Sequence, residues 1–70
     1  MCLSTVYLDA DGRRQEVMKD VAAMEAGKDG FMIIDLFGTT TFVRGKIKSL
    51  DFVDEPSVLL KENENDRLKK

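Results

Sequence analysis

Cys2 is the residue whose type and position could do chemistry. The chain holds one cysteine and no histidine. A small residue after an initiator methionine favours removal of Met1, which would make Cys2 the first residue. Its α-amino nitrogen and thiolate sulfur then close a five-membered chelate ring on one metal ion. Nearby backbone amides, once deprotonated, complete a square plane of nitrogen and sulfur. That geometry suits nickel(II) or copper(II), whereas an all-sulfur tetrahedron suits zinc. With Met1 retained, its amine, the Cys2 amide nitrogen and the Cys2 sulfur still make a three-point chelate. One chain carries one thiolate. A symmetric dimer that brings two N-termini together offers two, and twofold pairing is the commonest symmetry. The bland alternative is that Cys2 is a small hydrophobe near the end of a strand.

Other chemistries find little support. Without histidine, Ser-His-Asp and Cys-His arrangements are excluded. Gly27 and Gly30 lack the Lys-Ser/Thr that follows in a phosphate-binding loop. Asp9 and Asp11 do not continue into a calcium-loop pattern. A carboxylate pair for glycoside hydrolysis needs a cleft that so short a chain is poorly able to build. The expectation is a protein that is not an enzyme. A second reading uses Arg13, Arg14, Arg44, Lys46 and Lys48, with Tyr7 and Phe42 as stacking platforms, to bind single-stranded nucleic acid. The same charges are what solvent-facing strands carry, and lysines also protect sheet edges. A net charge of −2 gives such binding a weak electrostatic footprint.

These residues must be positioned by one small domain. Seventy residues allow no second one. A chain of this size buries only about 60% of its unfolded surface, so it benefits from a metal or a partner subunit. Hydrophobic residues make up 43% of the chain and charged residues 34%, enough apolar surface for a small core. No apolar run approaches the ~18 residues of a membrane span, and no secretory leader is evident. A free thiol without such a leader points to the cytoplasm.

The pattern is one of short strands. Leu3 to Leu8 alternates, with Ser4, Val6 and Leu8 on one face. Asp9 to Gly12 is a turn, and Arg14 to Met18 a second strand. Residues 18–26 fit two patterns. Val17, Val21 and Met24 fall at helical spacing, so a short helical turn fits, and alternation fits as well. Gly27 to Gly30 is a turn. Phe31 to Phe37 is apolar on both faces. A domain this small cannot easily cover both faces, so either the face with Met32, Ile34 and Leu36 or the one with Phe31 and Ile33 is a candidate subunit interface.

Thr39 to Val43 and Lys46 to Val53 are further strands. Gly45 marks a bend, and a bulge near Ser49 repairs the phase between Ile47 and Leu50. Asp54 to Ser57 turns into a last strand, Val58 to Leu60. About six short strands suggest an all-β barrel or sandwich. Residues 1–61 form the domain, and the charged segment 62–70 is expected to be a flexible tail.

The opening Met1-Cys2-Leu3, Val6 and Leu8, the turn at Gly12, the Gly27 to Gly30 turn, Asp35-Leu36-Phe37-Gly38, Val43-Arg44-Gly45-Lys46-Ile47 and Val58-Leu59-Leu60 together resemble the CooT family. These are small nickel-binding proteins associated with carbon monoxide dehydrogenase maturation, and related sequences have been labelled RNA-binding. The resemblance implies a small SH3- or Sm-like β barrel and a homodimer holding nickel(II) near paired N-termini. Cys2 is the metal ligand it implies, with the Leu3 backbone nitrogen as an auxiliary donor. It also implies a metallochaperone-like role, in delivery or storage for a nickel enzyme such as carbon monoxide dehydrogenase. The alternative is an RNA-binding Sm-like module using a basic strand face.

Overall fold

The computed structural model describes residues 3–62. They form five strands: β1 (Ser4–Ala10), β2 (Arg13–Gly27), β3 (Gly30–Asp35), β4 (Thr40–Asp51) and β5 (Ser57–Glu62). Each strand pairs with the next in an antiparallel ladder, and β5 returns beside β1 in parallel to close a barrel. The all-β barrel expected from the sequence is the fold observed. Two of the expected strands, 39–43 and 46–53, are one continuous strand, so there are five rather than about six. Glu62 ends β5, one residue beyond the expected domain limit. Residues 63–70, most of the expected tail, lie outside the described residues.

Residues 18–26 are strand throughout and hold no helical turn. The reason their pattern looked helical is physical. The partner of Ser4 is Val21 and that of Val6 is Met18, so β2 advances three residues while β1 advances two. A second irregularity lies between Val6 and Tyr7, opposite Met18 and Glu16, and a third between Val21 and Ala23, opposite Asp35 and Ile34. Each bulge adds one residue between inward-facing positions. Val17, Met18, Val21 and Met24 therefore all pack on the core, and Val17, Val21 and Met24 among them fall at the four- and three-residue spacing of a helix. Asp20, with φ of 54°, sits in the first of these bulges. The bends let the front of β2 pair with β1 and its rear with β3.

Strand β4 bends in the same way. Its first part pairs with β3 up to Arg44, and its second pairs with β5 from Gly45 onward. Gly45 has φ of 153° and is buried, and a Cβ there would lie 2.4 Å from the carbonyl oxygen of Lys61. Only glycine lets the two strands approach this closely. The bulge expected near Ser49 is present, with the register shifting between Ile47 and Ser49.

The core is small: Val6, Val21, Ile33, Val58 and Leu60, with Leu8, Val17, Met18, Met24, Phe31 and Val43 packed around them. It draws a buried side chain from every strand except β4. The doubly apolar strand is resolved by the register. Ile33 is fully buried, Phe31 packs on the core, and Met32 and Ile34 face outward, half-buried.

Gly45→Ala combines steric overlap with an unfavourable φ and should destabilise the barrel by more than about 2 kcal/mol. Gly12→Ala, in a turn with open space around it, should cost about 1–2 kcal/mol, the left-handed penalty alone. Urea unfolding of the two variants checks the order. Equal losses would show that Gly45 is not a steric pinch point.

Candidate functional site

Cys2 lies outside the described residues, and Leu3, which follows it, is half-buried just before β1. What the structure defines is the place where the chain enters the barrel. The Thr5 N–H donates to the Pro56 carbonyl at 3.1 Å. On the other flank Ser4 pairs with Val21. Next to Val21, the carbonyl of Asp20 accepts the Leu36 N–H at 2.9 Å. Ser4 and Thr5 therefore lie between two connections, 36–39 and 52–56.

An aspartate at a strand end shapes each connection. Asp35 Oδ1 accepts the N–H groups of Phe37 and Thr39, both at 2.9 Å. Asp51 Oδ1 accepts the N–H of Val53, also at 2.9 Å. A short carboxylate that bonds backbone two residues on holds a turn. Both turns leave apolar side chains exposed: Leu36 and Phe37 in one, Phe52 and Val53 in the other. The sequence analysis passed over these aspartates. The signal was an Asp two residues before the turn residue, in Asp35-Leu36-Phe37-Gly38 and Asp51-Phe52-Val53-Asp54.

Among the described residues no three His, Cys, Asp or Glu side chains are grouped to hold a metal ion. A thiolate donor would have to come from Cys2, since the sequence holds no other cysteine.

The fold gathers Tyr7, Arg14, Lys46 and Lys48 on one outer wall around Asp9 and sets Phe42, Arg44 and Arg13 apart from them. Tyr7 and Arg14 meet on the outside of β1 and β2, with the guanidinium 5.2 Å from the ring centroid, a cation–π distance. Lys48 is engaged across β5 by Asp9, Nζ to Oδ2 at 2.7 Å. Lys46 stands opposite Lys61. Phe42 pairs with Met32 on the other part of β4, where its ring lies against Gly27 and Gly30. Arg44 stands opposite Gly30, and Arg13 opposite Ala10 at the first hairpin. One stacking residue has a cation over it, and the other lies on a different wall of the barrel.

The hydrogen bond from Lys48 holds the Asp9 carboxyl below the ordinary aspartate range. Burial opposes this, and the charges of Lys48, Arg14 and Lys61 assist it. A carboxyl depressed in the folded state contributes stability above its unfolded pKa and loses it as pH falls through the folded value. Lys48→Ala should raise the Asp9 midpoint towards the ordinary value, as followed by NMR titration. An unmoved midpoint would remove Lys48 as the cause.

The family model described as CO dehydrogenase accessory protein CooT matches residues 1–61. Among solved structures, the chain is similar to a crystal structure described as CooT from Carboxydothermus hydrogenoformans. The TM-score is 0.79 and the identity 21%, over 89% of this chain and 98% of that one. At that identity the likeness speaks for the fold. No curated protein matches the sequence.

Proposed function

The chain belongs to the CooT family of CO dehydrogenase accessory proteins, and from that premise we propose that it binds nickel(II) through Cys2 and stores or delivers the ion for such an enzyme in the cytoplasm. The observation that carries this reading is positional. The sole cysteine immediately precedes Leu3 in the sequence, and Leu3 is half-buried just before β1. A thiolate there is joined to an amine and to backbone amide nitrogens, a donor set that favours nickel(II) or copper(II). The thiol and amine must lose protons to bind, so affinity is linked to pH. Nothing in this chemistry turns over a substrate; nickel is cargo.

Homodimerisation belongs to the same proposal. The outward side chains Met32 and Ile34 and the 43% exposed Phe42 form an apolar strip on β3 and β4. A second copy covering this strip would support a domain whose own core has five buried side chains. The RNA-binding alternative would use the wall where Tyr7, Arg14, Lys46 and Lys48 lie around Asp9, with Phe42 and Arg44 standing elsewhere.

Cys2→Ser should abolish tight nickel binding while leaving the melting temperature within about 2 °C. Absorption from thiolate to metal, followed with mass analysis on protein of known N-terminus, tests this. Unchanged affinity in the serine variant would end the nickel reading. For wild type, affinity should fall about tenfold or more per unit of pH below the thiol pKa, one decade for each proton displaced.

Met32→Asp with Ile34→Asp should leave a folded monomer by light scattering. A wild-type protein already monomeric at high micromolar concentration would refute the dimer.

A further inference from the structure

We propose that the end of the barrel where the chain enters is a docking surface for a different protein, one that presents an apolar patch rimmed by lysine and arginine. The proposal does not rest on nickel binding. Its first ground is apolar exposure. Leu36 is 54% exposed, Phe37 81%, Phe52 72% and Val53 89%. With Leu50, they account for most of the large apolar side chains that the described residues leave in solvent. Exposed apolar groups gathered within a polar rim mark interaction surfaces.

The second ground is placement. Leu36 is bonded to Asp20 and Thr5 to Pro56, with the Ser4–Val21 pair between them. Three strand-to-strand steps at about 4.8 Å each put the two connections within roughly 15 Å of one another. That is a span one partner surface can cover.

The third ground is charge, and it selects the occupant. Asp20, Asp35, Asp51, Asp54 and Glu55 lie in or beside these connections, against Lys19 as the one basic side chain in the same segments. Across the rest of the described residues acids and bases are nearly balanced. Two copies meeting end to end would set five carboxylates against five, and like charges across an interface are costly. An anionic membrane or a nucleic acid is repelled for the same reason. A basic rim around an apolar centre is the complement.

A benzophenone side chain at position 52, with position 28 in the distant Gly27–Gly30 hairpin as control, tests the surface in living host cells. The expected result is one adduct from position 52 with a protein other than this chain, and none from position 28. That protein, purified, should bind the full chain. Asp54→Lys with Glu55→Lys should weaken binding at least tenfold, and raising salt from about 0.05 to 0.3 M should weaken it further. Phe52→Ser with Val53→Ser should weaken binding but keep the salt dependence. Both variants alter exposed turn positions, and unchanged melting temperatures confirm that they fold. Cys2→Ser protein should dock normally, which separates this surface from the nickel reading. Adducts only with a second copy, no adduct, or an affinity indifferent to the charge reversal would overturn the proposal.

Discussion

Closing a sheet of so few strands is the constraint on which everything else depends. An up-and-down sheet with an odd number of strands brings its first and last strands together in parallel, as β1 and β5 are here. Closure with five strands also demands strong curvature, which regular pleated strands resist. Two strands absorb it. The fifteen-residue β2 does so through bulges around Lys19–Asp20 and Ala22, and the twelve-residue β4 through Gly45 and the bulge at Lys48. Each then serves two neighbours in succession. Without those bends, Val6, Val21, Ile33, Val58 and Leu60 would not converge.

A core this small leaves much of the apolar content outside, and the leftover residues fall into two chemically distinct sets. Met32, Ile34 and Phe42 lie on the outer wall of β3 and β4, where Glu25 is the charge standing opposite Met32. A nearly neutral strip of this kind can meet its own copy without electrostatic penalty. Leu36, Phe37, Phe52 and Val53 are carried instead by connections rich in carboxylates. The difference follows from turn chemistry. Strand walls take β-branched and long apolar residues, whereas Asp35 and Asp51 stand at strand ends because their carboxylates hold the turns.

The chain start gains its meaning from this arrangement. A terminal cysteine on a disordered segment would be one thiol among many in a cell. Here the ladder from β1 begins at Ser4, and Thr5 is tied to Pro56, which fixes the end of the barrel at which Leu3 enters. The salt bridge of Lys48 with Asp9 and the stacking of Arg14 on Tyr7 occupy the outer faces of β1, β2 and β4. Polar contacts of this sort finish a solvated wall.

Much of this was legible in the residues. Alternation in β1, the glycine turns, the bend at Gly45 and the bulge beside Ser49 are local properties, set by backbone conformations that particular side chains allow or forbid. The position of Cys2 and the family pattern around it are likewise properties of the chain. Three matters were decided only by tertiary structure. Residues 18–26 fit helix and strand equally until β1 and β3 supplied hydrogen-bond partners on both edges, and the bulges they impose produced the misleading helical spacing. The two apolar faces of β3 could not be ranked until closure turned Phe31 and Ile33 inward. Among the basic and aromatic residues, the barrel brought Tyr7, Arg14, Lys46 and Lys48 to one wall and left Phe42 and Arg44 on another. In each case the sequence specifies what a segment can pair with, and closure of the ring determines which of those pairings is made.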